Sequence, residues 1–396
     1  MSGGRIGVGM IGYAFMGAAH SQAWRTVHRA FDLPVTPRMA VLCGRDRAAA
    51  EAAAAKLGWA SVETEWKRLI ESGDVDLVDI CTPGDTHAEI ALAALAAGKH
   101  VLCEKPLANT VAEAEAMALA AAEAAARGVR SMVGFNYRRV PAIALARRLV
   151  AEGRVGDVRH VRAQYLQDWI VDPEFPLVWR MRKEKAGSGA LGDIGAHAVD
   201  LAQFVTGSLI TGVSGLTETF VTERPLVASS AGLSATKAAE RGRVTVDDTA
   251  LFTARFADGA VGSFEATRFA SGRKNALRLE VNGSAGSLAF DFEAMNELAY
   301  HDHTEDPELG GFRRIQVTEP GHPYVGAWWP PGHGLGYEHT FTHEVRDLLA
   351  ALAAGENPEP SFADGLQVQR VLAAVEESAA ANSVWTRVAG GVAGAG

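Results

Sequence analysis

Three residues of this chain have the types and neighbours that proton chemistry needs. Lys105 follows the apolar run His100-Val101-Leu102-Cys103 and is held between Glu104 and Pro106. A strand that ends in a fixed ammonium sets a cation at a defined point, where it can stabilise charge growing on an oxygen. Further on, Gly189-Ala190-Leu191-Gly192-Asp193-Ile194-Gly195-Ala196-His197 puts Asp193 and His197 four residues apart. On a helix that spacing places both on one face, with Asp200 near it. The glycines ahead of them let backbone come close to a ligand, and an imidazole has the intrinsic pKa to take a proton near neutral pH. The same Asp-x-x-x-His spacing also suits a plain helix ion pair, so its meaning depends on what surrounds it.

The surroundings begin with a nucleotide motif. The first apolar run, Arg5 to Ile11, leads into Gly12-Tyr13-Ala14-Phe15-Met16-Gly17, a G-x-A-x-x-G. In such a turn the first glycine takes the bend and the middle residue lets backbone approach a pyrophosphate. The last glycine lets helix pack on strand, with the helix N-terminus facing the phosphates. The methyl of Ala14 is small enough for the middle position, although a tight turn without a ligand would also use these residues. The second run, Met39-Ala40-Val41-Leu42-Cys43, ends in Gly44-Arg45-Asp46-Arg47. A glycine stands where a carboxylate would accept both ribose hydroxyls, and a guanidinium is well shaped for a phosphate dianion. NADP(H) is favoured on that ground. Asp46 keeps NAD(H) open, since a small shift of register aims it at the ribose, and both arginines also suit a solvated helix start.

The elements that must carry these residues follow from periodicity. From residue 5 to about 135, short runs that are apolar throughout alternate with helix-period stretches. That is the pattern of a parallel sheet covered on both faces. After about residue 150 the period becomes two: Val161, Ala163, Tyr165, Gln167 and Trp169 share one strand face. Two hairpins are expected, turning at Asp258-Gly259 and around Asn282-Gly283. Consecutive hairpins make an antiparallel sheet, with helices over residues 193–207 and 364–382 covering one face. The polar, aperiodic stretch 222–244 reads as a long surface loop, and residues 389–396 as a frayed tail. The fold class is α/β: an N-terminal Rossmann doubly wound parallel sheet over 1–135, then a C-terminal α+β domain with a large, mainly antiparallel sheet over 136–396.

Composition agrees with two domains, since 396 residues exceed one compact core. The balance of 38 Lys+Arg against 47 Asp+Glu, net charge -9, offers no basic field for nucleic acid. The alanine-rich runs carry glutamates or are too short to span a bilayer, and the opening residues have no secretory pattern. Cys43, Cys81 and Cys103 lie far apart within or at the ends of apolar runs. They suit small buried residues of a reducing compartment, so a cytoplasmic location is expected. No metal is expected: His301, His303, His333, His339 and His343 stand in loop-like surroundings.

The G-x-A-x-x-G turn, Cys103-Glu104-Lys105-Pro106 and the segment 189–197, in this order, resemble the glucose-fructose oxidoreductase, inositol dehydrogenase and rhizopine-catabolism (Gfo/Idh/MocA) family over nearly the whole chain. The combination of E-K-P with D-x-x-x-H is specific to that family. Gly134 to Arg139, Tyr165-Leu166-Gln167-Asp168-Trp169, Trp179-Arg180 and Gly336-Tyr337 are most similar to members that oxidise the 3-hydroxyl of an anhydrosugar to a ketone.

The resemblance implies an NAD(P)-dependent oxidoreductase acting on a secondary hydroxyl of a pyranose-type or anhydrosugar substrate. An inositol or amino-cyclitol dehydrogenase is the alternative, ahead of a redox-neutral NAD-dependent glycosidase or a nucleotide-sensing regulator. It makes Lys105, Asp193 and His197 catalytic and places Tyr137, Gln167, Trp169 and Tyr337 with them around the sugar. For the nucleotide it implicates Gly12, Ala14, Phe15, Met16 and Gly17 in the turn, and Gly44, Arg45 and Asp46 beyond the second strand. Thr82, Pro83 and His87 follow, then Glu104, Lys105 and Asn136, and finally Trp179 and Arg180. Gly44-Arg45 departs from the acid that NAD-using relatives carry. The resemblance also implies a cis Lys105-Pro106 peptide and association through the open face of the second sheet into a homodimer or homotetramer. Trp169 could cover the apolar face of a pyranose or simply fill core.

Overall fold

The computed structural model describes residues 4–231 and 234–390. Within them the contacts define two compact units, the first drawn chiefly from Met1–Asn136 and Tyr337–Gln369, the second from Tyr137–Ser229, Ala235–Gly336 and Arg370–Gly396.

The first unit is built on six parallel strands: β1 (Gly4–Ile11), β2 (Val35–Cys43), β3 (Ser61–Glu63), β4 (Leu77–Ile80), β5 (His100–Glu104) and β6 (Ser131–Gly134), in the order β3-β2-β1-β4-β5-β6. The order reverses between β1 and β4, and open sheets of this kind bind ligands at the carboxyl ends of such strands. The helices are α1 (Phe15–Ala30), α2 (Arg47–Leu57), α3 (Trp66–Glu71), α4 (His87–Ala96) and α5 (Val111–Ala125). Local signals set two of their starts. Asp46 accepts from the Ala49 amide at the head of α2, and Thr110 with Glu113 closes a capping box on α5.

The second unit holds α6 (Pro141–Ala151), β7 (Val158–Leu166), α7 (Lys183–Ala186), α8 (Ala196–Thr206), β8 (Ile210–Glu218), β9 (Glu223–Ala231), β10 (Ser234–Arg243), β11 (Thr249–Phe256), β12 (Val261–Thr267), β13 (Ala276–Gly283), β14 (Gly286–Asp291), β15 (Glu297–Asp302) and β16 (Arg313–Gln316). Two late helices, α9 (Tyr337–Ala354) and α10 (Phe362–Ala380), precede the short β17 (Thr386–Arg387). Its nine-stranded sheet runs β16-β15-β14-β13-β7-β12-β11-β8-β17, antiparallel except where β7 meets β12. Helix α8 packs on β7, β12 and β13, and Ser378 of α10 accepts from the Gly215 amide of β8.

Several expectations are corrected. The stretch 222–244 is not a loop: β9 and β10 form a two-stranded ribbon. Buried Arg224 anchors it by donating to the Ile170 and Asp172 carbonyls at 2.6 and 2.7 Å, and Leu226 packs against the cluster of Leu177, Met181, Val244 and Val246. The hairpin at Asp258-Gly259 stands, with Gly259 at φ 91°. The second hairpin turns at Ser284-Ala285 rather than Asn282-Gly283, since Asn282 pairs with Ser287. Gly283 is a strand residue whose Cβ would lie 2.2 Å from the Val155 carbonyl oxygen, so it serves close approach and not a positive φ. Strand β7 stops at Leu166, leaving Gln167 and Trp169 beyond it, although the Gln167 amide still bonds the Thr267 carbonyl. Finally, α9 belongs with the first unit and not with residues 136–336. Its Phe341, Val345, Leu348 and Leu349 join Val8, Met10, Trp24, Val27 and Leu42 in one core, covering the apolar side of α1. Of the expected frayed tail, residues 391–396 lie outside the described residues.

The three cysteines are buried and unpaired with one another. Burial, the largest cause, pushes the Cys43 thiol up to about 12 and raises Cys81 and Cys103 as well. No helix among the described residues is long and apolar enough to cross a membrane.

Candidate active site

In the first unit, β1 delivers its last residues to the nucleotide turn. Gly12 sits at φ +98°, and a Cβ there would lie 2.7 Å from the Cys81 carbonyl oxygen. A Cβ on Gly17 would lie 2.2 Å from the Gly12 carbonyl oxygen, so only glycine lets α1 lie this close to the strand end. Helix α1 starts after Ala14 with no side-chain cap and no acid in its first turn, which leaves its leading amides available to an anion. The geometry therefore fits a dinucleotide pyrophosphate. Phe15 is exposed and stacks on Tyr337, ring centroids 6.2 Å apart, which puts Tyr337 beside the nucleotide turn. Met16 packs against the core of this unit.

Gly44 has a local reason to be glycine. A Cβ there would stand 2.0 Å from Cε1 of Tyr13, so the Tyr13 ring lies where an acid would project. Asp46 is engaged by the Ala49 amide at 2.9 Å, and Arg47 pairs with Glu51. Arg45 is exposed and makes no hydrogen bond or ion pair among the described residues.

Strand β5 brings Glu104 and Lys105 to the carboxyl edge of the sheet, followed by a cis Lys105-Pro106 peptide. Behind Lys105 lies a buried polar cluster. Glu104 Oε2 accepts from the Lys105 amide at 3.1 Å, and Glu104 Oε1 lies 2.9 Å from His20 Nε2. His20 Nδ1 lies 3.0 Å from Asp79 Oδ1, and the Trp24 indole donates to Asp79 Oδ2 at 2.6 Å. Burial disfavours a charged His20 ring, but the Asp79 carboxylate, aided by Cys81, outweighs it and holds the pKa well above the usual histidine range. His87 braces the same edge: its ring nitrogens lie 2.9 Å from the Thr82 carbonyl and 3.0 Å from the Pro106 carbonyl. Thr82 bonds Thr86 through their hydroxyls, with Pro83 between strand and helix, and Asn136 donates to Thr340 of α9.

In the second unit, Asp193 and His197 are not on one regular α-helix. Leu191–Gly195 forms a π-helical turn and His197 falls in α8 after it. Asp247 holds the approach to that turn by accepting from the Gly189 and Leu191 amides at 2.6 and 2.8 Å; burial raises its pKa against those bonds. Such single wide turns inside helices often mark functional sites. Asp193 faces Arg268, whose Nη2 donates to its carboxylate at 2.8 Å and to the Gly189 carbonyl at 3.2 Å. The guanidinium also lies over the Trp169 ring, 5.3 Å from its centroid. Asp200 is engaged elsewhere, in a buried two-oxygen pair with Arg138 at 2.6–3.0 Å.

His197 is surrounded by hydroxyl and amide groups. The Tyr137 ring lies 4.5 Å from it and the Tyr165 ring 5.9 Å. The two tyrosine hydroxyls are 2.8 Å apart, and that of Tyr165 donates to Asn275 Oδ1 at 2.6 Å. Gln167 donates to the same oxygen at 2.9 Å and accepts from the Trp169 indole at 3.1 Å. The structure thus gathers Tyr137, Gln167, Trp169, Asp193 and His197 into one region of this unit. Trp179 and Arg180 belong to the same unit, the guanidinium over the indole at 4.4 Å. Asn275, Arg268 and Tyr165, like His20 and Asp79 in the first unit, are participants that spacing did not single out. Tyr165 alone carried a signal, in the strand alternation.

Among the described residues only His20, Asp79 and Cys81 bring three potential metal ligands together. There both imidazole nitrogens face carboxylates at hydrogen-bond distance and burial keeps the thiol protonated, so the group is a hydrogen-bonded cluster.

Residues 6–135 match the oxidoreductase family model with NAD-binding Rossmann fold, and residues 143–289 match the GFO/IDH/MocA C-terminal domain. The chain is 42% identical over 388 residues to levoglucosan dehydrogenase of Pseudarthrobacter phenanthrenivorans, covering 97% of this chain and 98% of that one. Among solved structures it is similar to an oxidoreductase domain protein from Kribbella flavida, with TM-score 0.93 and 70% identity over 97% of this chain and 99% of that one. Levoglucosan dehydrogenase in complex with NADH and levoglucosan is similar with TM-score 0.91 and 42% identity over 97% and 100%.

Proposed function

The chain belongs to the Gfo/Idh/MocA oxidoreductase family, and from that premise we propose that it is a nicotinamide-dependent sugar dehydrogenase that oxidises a secondary hydroxyl of levoglucosan or a closely related pyranose to a ketone. The observation that carries the proposal is the set of hydroxyl, amide and indole groups around His197, namely Tyr137, Tyr165, Asn275, Gln167 and Trp169. Such a set reads the rim of a polyol, and an indole covers its C–H face.

Within this proposal His197 takes the hydroxyl proton as general base. Lys105 is the cation that stabilises charge growing on a substrate oxygen. Asp193, held beside Arg268, accepts from a neighbouring sugar hydroxyl and so orients the ring. The nicotinamide dinucleotide supplies a hydride acceptor when bound. Gly12, Ala14, Phe15, Met16 and Gly17 would hold its pyrophosphate, and the end of β2 its ribose. We assign a preference for NADP(H) to Arg45, which has no partner within the described residues, beside Gly44, where the Tyr13 ring stands in place of an acid. The 42% identical relative binds NADH, which lacks that phosphate, so this preference distinguishes the two proteins.

We also propose a cytoplasmic homodimer or homotetramer formed through the open face of the nine-stranded sheet. Exposed Leu216 and Leu251 lie directly opposite each other on β8 and β11. Beside them run the cross-strand pairs Arg162 with Glu280 and Arg278 with Asp291, a pattern of both signs that a second copy can complement.

Initial rates of nicotinamide reduction with levoglucosan and with myo-inositol, each offered with NAD+ and NADP+, test the proposal. Turnover of levoglucosan well above that of myo-inositol is expected. Turnover of myo-inositol alone would replace the sugar with a cyclitol, and no turnover of either would overturn the substrate assignment.

A further inference from the structure

We infer that His20 is a positioning residue for Lys105: a buried imidazolium shared between Asp79 and Glu104, which occupies the Glu104 carboxylate and keeps it from pairing with the neighbouring lysine ammonium. The inference deepens the proposed function and rests on the role given there to Lys105.

Hydrogen-bond geometry supports the charge. His20 is 1% exposed, Asp79 0% and Glu104 4%, so the three groups are removed from bulk water. One ring nitrogen faces both Asp79 oxygens at 3.0 and 3.1 Å, and the other faces Glu104 Oε1 at 2.9 Å. With both carboxylates ionised each oxygen only accepts, so both nitrogens donate, which only the doubly protonated ring can do. The remaining neighbours are also donors to Asp79, the Trp24 indole at 2.6 Å and the Cys81 thiol at 3.5 Å, while the Phe341 ring closes the other side at 5.3 Å.

The charge count then bears on Lys105. With the imidazolium in place the three groups carry one net negative charge; were its proton lost to solvent they would carry two in the same buried volume. Glu104 is the member adjacent to Lys105, and its two oxygens divide between His20 and the Lys105 backbone amide. Glu104 therefore fixes the lysine main chain while its charge is answered by the ring on α1. Without that ring the carboxylate loses its cationic partner, and the adjacent Lys105 side chain is the cation it would then draw. An ammonium drawn into that pair would be withdrawn from substrate oxygen.

The test has two arms. In substrate-free protein with 15N-labelled histidine, the ring identified by its proximity to the Trp24 indole proton is expected to keep both nitrogens protonated across the pH range in which an ordinary histidine, with a pKa of about 6.5, loses its proton. A ring that turns neutral within that range would overturn the inference. The second arm uses His20→Gln, expected to lower kcat by roughly 10- to 100-fold with the KM for the dinucleotide little changed, a loss of about 1.4–2.7 kcal/mol. It is also expected to slow acetylation of Lys105 by acetic anhydride. Adding Glu104→Gln removes the unanswered charge and should restore both Lys105 labelling and most of kcat. A double variant no better than His20→Gln would mean that His20 merely fills space and would sink the idea. If the wild type oxidises neither sugar nor cyclitol, the proposed function fails, while the histidine signal and the labelling still decide the inference.

Discussion

Replacing Arg45 by alanine should lower kcat/KM with NADP+ while leaving NAD+ nearly untouched. The structure isolates the effect. Asp46 is engaged at the head of α2 and Arg47 pairs with Glu51 at 3.6 Å, whereas Arg45 is exposed and has no partner among the described residues. Removing it therefore disturbs little of the fold. A charge-assisted hydrogen bond to a phosphate contributes about 1.5–3 kcal/mol, or roughly 10- to 150-fold in kcat/KM. At an exposed site salt screens the pair, so about tenfold is expected near 0.15 M salt and more at lower ionic strength. Initial rates with the two dinucleotides at two salt concentrations give the ratio directly. A ratio unchanged within about twofold, or an equal loss with NAD+, would refute the role of Arg45, since phosphate contacts alone carry the salt dependence.

A companion variant tests why Gly44 is not an acid. The Cβ of Gly44→Asp would stand 2.0 Å from the Tyr13 ring, so the aspartate alone should impair both dinucleotides. With Tyr13→Ala the space opens, and the double variant should shift preference toward NAD+. If Gly44→Asp alone made that shift, the ring would not be what excludes the carboxylate.

Three other outcomes are expected. Lys105→Ala and His197→Ala should each bind dinucleotide as the wild type does, by fluorescence titration, yet lose roughly 10²- to 10⁴-fold in kcat; near wild-type turnover in either would remove that residue from the mechanism. Arg268→Met leaves Asp193 without its guanidinium. Breaking a buried pair costs 3–5 kcal/mol, discounted to about 2–4 because Asp193 is 28% exposed, and should appear as a lower thermal transition together with a raised sugar KM. An unchanged transition would mean that the pair contributes nothing. Leu251→Glu, on the open sheet face, should reduce the assembled mass in light scattering without loss of helix signal in circular dichroism. A monomeric wild type would end the argument for that interface.

Much of the fold was legible because its signals are local. Runs apolar on both faces separated by helical stretches could only be a covered parallel sheet, and the glycine at 259 announced its turn. Misreadings arose where a residue's reason lies far along the chain. Gly283 looked like a turn glycine, but it is required by the Val155 carbonyl pressing on it. The small, polar 222–244 segment looked unstructured, yet the side chain of Arg224 ties it to main-chain carbonyls of 170 and 172, some fifty positions earlier. The first unit's core needed α9, more than 300 residues after α1, and nothing in residues 15–30 names the partner that covers Trp24.

The candidate site divides along the same line. The residues proposed to do chemistry sit at strand ends and helix starts, where glycine, proline and short spacings mark them, so Lys105, Asp193 and His197 stood out. Residues that hold them carry no such mark. Arg268 reaches Asp193 across 75 positions, Asn275 approaches Tyr137 across 138, and His20 meets Glu104 across 84. Each is a single polar residue inside an ordinary helix or next to an ordinary strand, and burial alone turns it into a fixed support. An arginine in water is a solvated charge; at 1% side-chain exposure it must find acceptors, and the carboxylate it finds is thereby oriented. Local pattern thus marks the groups proposed to move protons, while the groups that hold them in place follow from which distant segments the fold buries together.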